Sequence, residues 1–371
     1  MSVTIFTMTH KKFPSPGDPI YVPLQVGRAN AADLGYIGDD TGVSISKKNC
    51  YYGELTGVYW VWKNIKTSDY VGICHYRRYF CTEEGRILTE KEYEEILSDY
   101  DMIASKKLKL NFSYYDGYAG DYNIHDLDAV GEVIRQHYPE YSETFERLVH
   151  GKGTYFGNMM VCKKEIYDAY CEWLFGIFEK AEKQIDASGY DDYHKRVYGF
   201  ISEFLLYVWT QVQGLKVYEC KVGMTDEKRE TAEVKERLAA YFREKDIAGA
   251  KAYILSCLEK RPDILMEASD ITGELKLSMQ VIAVCELEQQ AYGGSTIDRI
   301  QDFGALMTHF QKLNELILAW KEGETEMSPP EAEFYLKNEH ITDIALEASA
   351  RLFYTAAEAK EIAEGMKGCR D

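Results

Sequence analysis

The sequence predicts an α/β fold with a mostly parallel sheet over residues 1–225, followed by an all-α region over residues 226–371. Three observations carry that reading. Strand-like apolar runs alternate with helix-like segments up to residue 222, the pattern of strands joined by crossover helices. Aromatic residues crowd the same stretch, with 24 of the 29 tyrosines and four of the five tryptophans before residue 221. Beyond the polar run GMTDEKRETAEVK, apolar residues recur only at helical spacing.

Strand candidates lie at residues 3–8, 20–26, 70–74, 102–105, 155–162 and 216–222. Between them Tyr51, Leu55, Val58, Tyr59 and Trp62 recur at helical spacing behind an N-cap candidate, Asn49. Ile166, Tyr170, Trp173, Leu174, Ile177 and Phe178 repeat the pattern. In the second region RETAEVKERLAAYFREKD, AGAKAYILSCLEKR, ELKLSMQVIAVCELEQQAYG, IDRIQDFGALMTHFQKLNELILAWKEG and DIALEASARLFYTAAEAKEIAEGM each read as helix. That region shows no fixed repeat and no clustered His, Asp or Cys, so helical packing or homo-oligomerisation is its expected role.

Composition bounds the function. At 371 residues two domains are expected, and 46% hydrophobic with 28% charged residues is ordinary for a globular chain. A net charge of −18 repels nucleic acid, so none is expected as a partner. The longest strongly apolar stretch, residues 200–209, is broken by Ser202 and Glu203 and falls short of the ~20 residues of a membrane span. The N-terminus starts on a strand-like run with no signal-peptide pattern. Nine scattered cysteines without a CxxC pair read as free thiols. A cytoplasmic location is expected, with peripheral contact at the inner membrane face compatible with it.

In sheets of this class ligands bind beyond the carboxyl ends of the strands. The first strand ends at Thr9, His10, Lys11 and Lys12; the second, IYVPLQV, carries Gln25 and meets Gly27, Arg28 and Asn30. Residues 36–49 form a polar loop with Gly38, Asp39, Asp40, Gly42, Ser44 and Ser46, suited either to tight turns or to holding a nucleotide. The third strand runs into His75, Tyr76, Arg77 and Arg78. Two adjacent arginines amid aromatics are costly to bury without an anion, and the guanidinium fork suits phosphate. A surface salt-bridge cluster is the competing reading. Many nucleotide-sugar enzymes place a metal-binding Asp-x-Asp at this strand end. Here the arginines would neutralise a leaving diphosphate, so neither metal nor other cofactor is expected. The literal Asp99-Tyr100-Asp101 precedes a strand and reads as a turn.

The segment LNFSYYDGYAGDYNIHD is aromatic yet polar. Its tyrosines, Tyr114, Tyr115, Tyr118 and Tyr122, look too irregular for a core helix. They suggest a mobile loop that stacks on a sugar or a lipid-linked acceptor, against the alternative of a packed loop. Glu203 sits in the otherwise apolar helix RVYGFISEFLLYVWT. A buried carboxylate needs a partner, here Arg196, or a task, here as general base.

The stretches TIFTMTHKKF, IYVPLQVG, DDTGVSISKKNCYYGELTGVYWVWKN, YVGICHYRRYF, YDMIAS, HYPEY, NMMVCKKEIYDAYCEWLF and RVYGFISEFLLYVW occur in order. Over about residues 3–215 the chain resembles the bacterial glycosyltransferases of capsule, O-antigen and exopolysaccharide synthesis that carry the DUF4422 domain, glycosyltransferase family 111. The resemblance implies a GT-A-like fold and inverting transfer of galactofuranose from its UDP donor to a glycan or lipid-linked glycan acceptor, with Glu203 as base. It implies donor contacts by Thr9, His10, Gln25, Gly27, Asp39, Asp40, Gly42, Ser46, Asn49, Glu54, His75, Tyr76, Arg77 and Arg78. The implied acceptor contacts are Tyr114, Tyr115, Tyr118, His125 and Asn158. GNMM at residues 157–160 departs from the more aromatic strand expected there. The alternative is a non-catalytic scaffold that keeps the fold to hold a nucleotide or glycan, against which the intact HYRR and SE motifs argue.

Overall fold

The structure, a computed structural model, describes residues 2–265, 269–322 and 335–370. It divides into two compact units, Met1–Thr225 and Asp226–Asp371. In chain order the first unit contains β1 (Val3–Thr9), β2 (Tyr21–Gln25), β3 (Ile37–Gly38), α1 (Asn49–Tyr52), α2 (Leu55–Asn64), β4 (Tyr70–His75) and β5 (Arg78–Cys81). Next come α3 (Glu90–Asp99), β6 (Met102–Ser105), β7 (Leu108–Lys109), α4 (Tyr114–Asp121), α5 (Ile124–His137) and α6 (Pro139–Val149). It ends with β8 (Gly153–Thr154), β9 (Met160–Lys163), α7 (Lys164–Ala181), α8 (Val197–Val212) and β10 (Val217–Met224).

Alternation along the strands splits the core in two. Phe6 and Met8 of β1, with Val71 and Ile73 of β4, face a large cluster built from α2 and α5 to α8. Val3 and Ile5 face a smaller one that includes Tyr93 and Leu97 of α3. The period of two sends neighbouring side chains to opposite faces, and helices cover both.

The sheet is mixed, which corrects the expectation of a mostly parallel one. β1 pairs in parallel with β2 and β4, β2 with β3, and β6 with β10. β5 and β9 run against these strands and pair antiparallel on both sides. With the β7–β8 ribbon, five of the nine pairings are antiparallel. A strand buried on both faces reads as a continuous apolar run whichever way it points, so the sequence pattern does not distinguish the two arrangements. The pairings β4–β9–β6–β10–β5–β4 also close a circuit, and its narrowest link is the single pair His75↔Arg78. The HYRR motif is therefore a tight hairpin with Tyr76 and Arg77 at its tip.

Other expectations shift locally. The helix expected over residues 51–62 breaks at Gly53, whose φ of 54° interrupts it between α1 and α2. Asn49 is the first residue of α1 instead of its N-cap, and its amide donates to the Gly53 carbonyl at 2.6 Å. The strand expected over residues 155–162 is confined to β9. The segment expected as a mobile loop contains α4, capped by the Ser113 hydroxyl on Asp116 N. Tyr114, Tyr118 and Tyr122 are four residues apart, so their rings line up along one side, with centroids 6.2 and 4.9 Å apart.

The second unit is helical throughout its described residues: α9 (Arg229–Arg243), α10 (Ile247–Lys260), α11 (Glu274–Tyr292), α12 (Phe303–Glu322), α13 (Asp343–Ala350) and α14 (Ala356–Arg370), with short 3₁₀ turns. Two stretches expected as single helices are broken, at residues 299–302 and 351–355. Its own core includes Leu238, Phe242, Val281, Phe310 and Leu313. Among the described residues no helix is long and apolar enough to cross a membrane. Because each unit has its own core, we expect a chain ended at Thr225 to keep one cooperative thermal transition with native far-UV circular dichroism. A broad, non-cooperative transition would refute this.

Candidate functional site

The carboxyl ends of β1, β2 and β4 lie along one edge of the sheet. Several residues expected to bind a ligand there instead build its walls. Asp39 is fully buried and accepts from Gly27 N at 2.8 Å, Arg28 N at 3.2 Å and Ser46 Oγ at 2.5 Å. One buried carboxylate thus folds the 36–49 loop onto the end of β2, and charge-assisted bonds repay its desolvation. Arg28 Nε donates to Asp40 at 2.7 Å. Gln25 is buried, donating to Ala32 O and accepting from Leu34 N. Thr9 is buried and bonds within its own turn to Lys11. Gly42 receives the neighbouring Asn64, whose Oδ1 accepts from Val43 N at 3.0 Å.

The hairpin after β4 gathers positive charge. The ring of Tyr76 has Lys11 Nζ and the Arg77 guanidinium each 5.1 Å from its centroid, and His10 meets it edge-on at 5.4 Å. Arg77 Nε is buried and has no hydrogen-bond partner within the protein. The Arg78 guanidinium lies 5.4 Å from the Phe156 ring centre. Two cations held against one ring, in a chain of net charge −18, form a local electropositive spot suited to an anion.

The carboxylates converge on the turn before β9. Gly157 (φ 90°) and Asn158 (φ 49°) are consecutive left-handed residues. Gly157 N donates to Glu203 Oε1 at 3.0 Å, and Gly157 O accepts from His75 Nε2 at 2.5 Å. Asn158 Nδ2 donates to Glu54 Oε1 at 2.7 Å and Gly199 O at 3.0 Å, while its Oδ1 accepts from the Ser202 hydroxyl at 2.8 Å. This dipeptide therefore links β4, the N-terminal end of α2 and the first turns of α8. Asn158 is buried with its amide spent on these partners, so it positions Glu54 and does not face an acceptor. Burial, the largest effect, together with Arg78 and Arg77 pushes His75 down from its ordinary value, against Glu54 and the Gly157 bond. The carbonyl partner requires a proton on Nε2, so the neutral ring has Nδ1 unprotonated.

Glu203 faces Gly157 from α8, and the Arg196 guanidinium expected beside it lies over the Tyr193 and Phe200 rings, 5.0 and 5.7 Å from their centres. Tyr114 stacks on Phe204 at 4.2 Å, and burial followed by the Glu203 charge pushes its phenol up. Tyr118 is buried between Tyr114 and Tyr122. Tyr115 turns away to Asp128, 3.1 Å, and His125 is exposed at the start of α5, so neither joins the others. Asp99 closes α3 and Asp101 accepts from Lys216 N, at the opposite strand end. Among the described residues no group of three or more His, Cys, Asp or Glu is placed to hold a metal ion. Sequence reasoning missed the roles of Gly157 and Ser202. The Gly-Asn dipeptide was the available signal, since both residues tolerate left-handed backbone.

The first unit is thus a mixed α/β domain with an arginine hairpin and two anchored glutamates at one sheet edge. The chain belongs to the DUF4422 family, matching that domain of unknown function over residues 4–214. It is similar to the apo structure of WbbM, a bifunctional glycosyltransferase, at 33% identity and a TM-score of 0.56. The match covers 61% of this chain and 46% of that one, so it spans less than half of WbbM. No curated protein matches.

Two outcomes test the turn. Asn158→Ala loses the amide and leaves in left-handed backbone a residue that tolerates it less well than asparagine, and should lower the urea unfolding free energy by about 2–4 kcal/mol. Asn158→Gly should recover only the backbone part. For His75, the unfolded ring binds its proton below its ordinary value of 6.5 while the folded ring resists it. The unfolded state then holds more protons, so this residue's contribution is intact above that value and is lost as pH falls towards the folded pKa. His75→Gln should flatten the fall in stability below pH 6.5 relative to the parent, and parallel profiles would refute the assignment.

Proposed function

We propose that the first unit is a glycosyltransferase that moves a sugar from a nucleotide-diphosphate donor to a glycan acceptor. The observation that carries this reading is the buried, unpartnered Arg77 Nε at the tip of a hairpin where Lys11 and Arg77 share the Tyr76 ring. A diphosphate would supply the missing acceptor and the countercharge, and the fixed cations would stabilise it as it leaves. The likeness to WbbM supports the class of reaction. The family resemblance favours UDP-galactofuranose as donor and inversion at the anomeric carbon.

Inversion needs one base opposite the leaving group, and Glu203 is our candidate. Its Oε1 is oriented by Gly157 N, and Tyr114 stacks on the neighbouring Phe204. In this scheme Glu203 takes the proton from the acceptor hydroxyl as that oxygen attacks the anomeric carbon and the bond to the diphosphate breaks. Glu54, tied to Asn158, lines the same corner. We further propose that the arginines make a divalent metal unnecessary for donor binding.

The decisive measurement is release of UDP from UDP-galactofuranose, with and without acceptor. Arg77→Ala should weaken UDP binding roughly ten- to hundredfold, the worth of a charge-assisted bond. Glu203→Gln should bind UDP as the parent does and turn over ~10²–10⁴-fold more slowly. Retention of more than about a third of parental turnover would remove Glu203 from the mechanism. A protein that binds UDP but releases none from the donor would be a scaffold. Loss of UDP affinity in EDTA would overturn metal independence.

A further inference from the structure

Resting on the transferase reading above, we infer that the first unit has a second carbohydrate subsite, remote from Glu203, which grips a non-reacting sugar ring of the acceptor. A cleft of about 380 Å³ opens where α4 ends, between Gly120, Tyr122 and Asn123 on one side and Gly189, Tyr190 and His194 on the other. That volume lies at the lower end of the roughly 300–1,000 Å³ of small-molecule sites.

Two glycines mark space that the backbone does not require. Neither Gly120 nor Gly189 has positive φ, and a Cβ on either would meet nothing within 4 Å. Gly120 is the exposed last residue but one of α4, where glycine costs less than the roughly 1 kcal/mol of a helix interior. Local folding would favour a side chain at that position, and its absence keeps the cleft open.

The aromatic walls are fixed with their hydroxyls occupied. Tyr122 and Tyr193 share a hydroxyl contact at 3.2 Å. Tyr190 Oη accepts from Asn123 Nδ2 and donates to the buried Asp126 at 3.2 Å. Tyr190 offers a ligand ring surface, on which the apolar face of a sugar stacks, while the Tyr122 ring is packed against Tyr118 and Phe200. The rim supplies acceptors. His194 Nδ1 meets Asp191 Oδ2 at 2.6 Å and Nε2 meets the Asp121 carbonyl at 3.1 Å. The His194 ring thus straps the two walls together. Asp191 is held well below the usual carboxylate range by the His194 backbone and ring bonds and remains exposed. An acidic rim around ring faces suits a neutral, hydroxyl-rich ligand and disfavours phosphate or nucleotide.

The position within the fold defines the role. Tyr114, beside Glu203, and Tyr122, at the cleft, are eight residues apart along one tyrosine row. At ~1.5 Å per helical residue that is about 12 Å, too far for the reacting hydroxyl. A ring held there contributes binding energy from outside the reacting centre.

The test is binding of the full chain to an array of immobilised bacterial oligosaccharides of graded length, with free galactose as control. We expect capture of longer oligosaccharides, and a loss of about tenfold or more in Gly120→Trp and Gly189→Trp, which fill the cleft. Both variants should keep parental UDP affinity. Gly120→Ala should bind within twofold of the parent and melt higher. If Gly120→Trp fails to fold, Gly189→Trp on its exposed turn decides. A folded Gly189→Trp or Gly120→Trp protein with parental capture overturns the inference, and so does a parent that captures no oligosaccharide. Loss of UDP binding in the parent would strike the transferase reading alone, leaving glycan capture to judge the cleft.

Discussion

The Gly157-Asn158 dipeptide is the constraint on which the rest of the site depends. Its two residues both adopt left-handed backbone, so the chain reverses within a very short span before β9. That reversal turns the N–H of Gly157 toward α8 and its carbonyl toward β4, while the Asn158 side chain reaches α2. Three separately folded elements are thereby set to one another through neutral donors and acceptors. No direct bond among His75, Glu54 and Glu203 is needed to place them. A peptide group is well suited to this task, because it is rigid, does not titrate and holds a carboxylate without cancelling its charge.

The distribution of charge follows the same division. Positive groups collect on the β4–β5 hairpin and the end of β1, whereas the glutamates come from helices across the turn. The cations have no freedom to spread out: the hairpin is closed by the His75↔Arg78 pair, and Arg78 is simultaneously a strand residue paired with β10. A net charge of −18 over the whole molecule makes the basic spot more selective, since anions are repelled everywhere else. Arg77 Nε is buried on this hairpin without a protein acceptor.

The sequence made the strands and the chemistry-bearing residue types legible, because apolar runs and exposed guanidinium groups are local signals. HYRR and Glu203 could be singled out from the residues alone, and both lie at one sheet edge. Strand direction was not legible. β9 and β5 are as apolar as their parallel neighbours, and the choice between a crossover and a hairpin rests on Tyr76 and Arg77, which carry no Gly or Asn turn signal. The structural bonds made by Asp39, Gln25 and Asn158 were not legible for a different reason. A polar side chain in a loop reads identically whether it faces a ligand or the backbone, and only the fold shows that all three hold backbone or another side chain. Tyr114, Tyr118 and Tyr122 were discounted as irregular because Tyr115 and two glycines interrupt the eye; at a spacing of four they form a helical row.

That row gives α4 a structural logic beyond its poor helix propensity. Its sequence, YYDGYAGD, contains two glycines and little aliphatic surface, so intrinsic preference alone would not sustain eight helical residues. Stacking supplies what propensity lacks: Tyr114 lies on Phe204, Tyr118 is buried beside it, and Tyr122 packs against Phe200 at 4.6 Å. Phe200 and Phe204 are themselves one turn apart on α8, with Glu203 adjacent to the second. The tyrosine row of α4 and the phenylalanine pair of α8 therefore run along each other. A displacement of either helix would be felt both at Glu203 and where α4 ends. Packing of aromatic rings thus contributes to setting the distance between the carboxylate and the end of the helix.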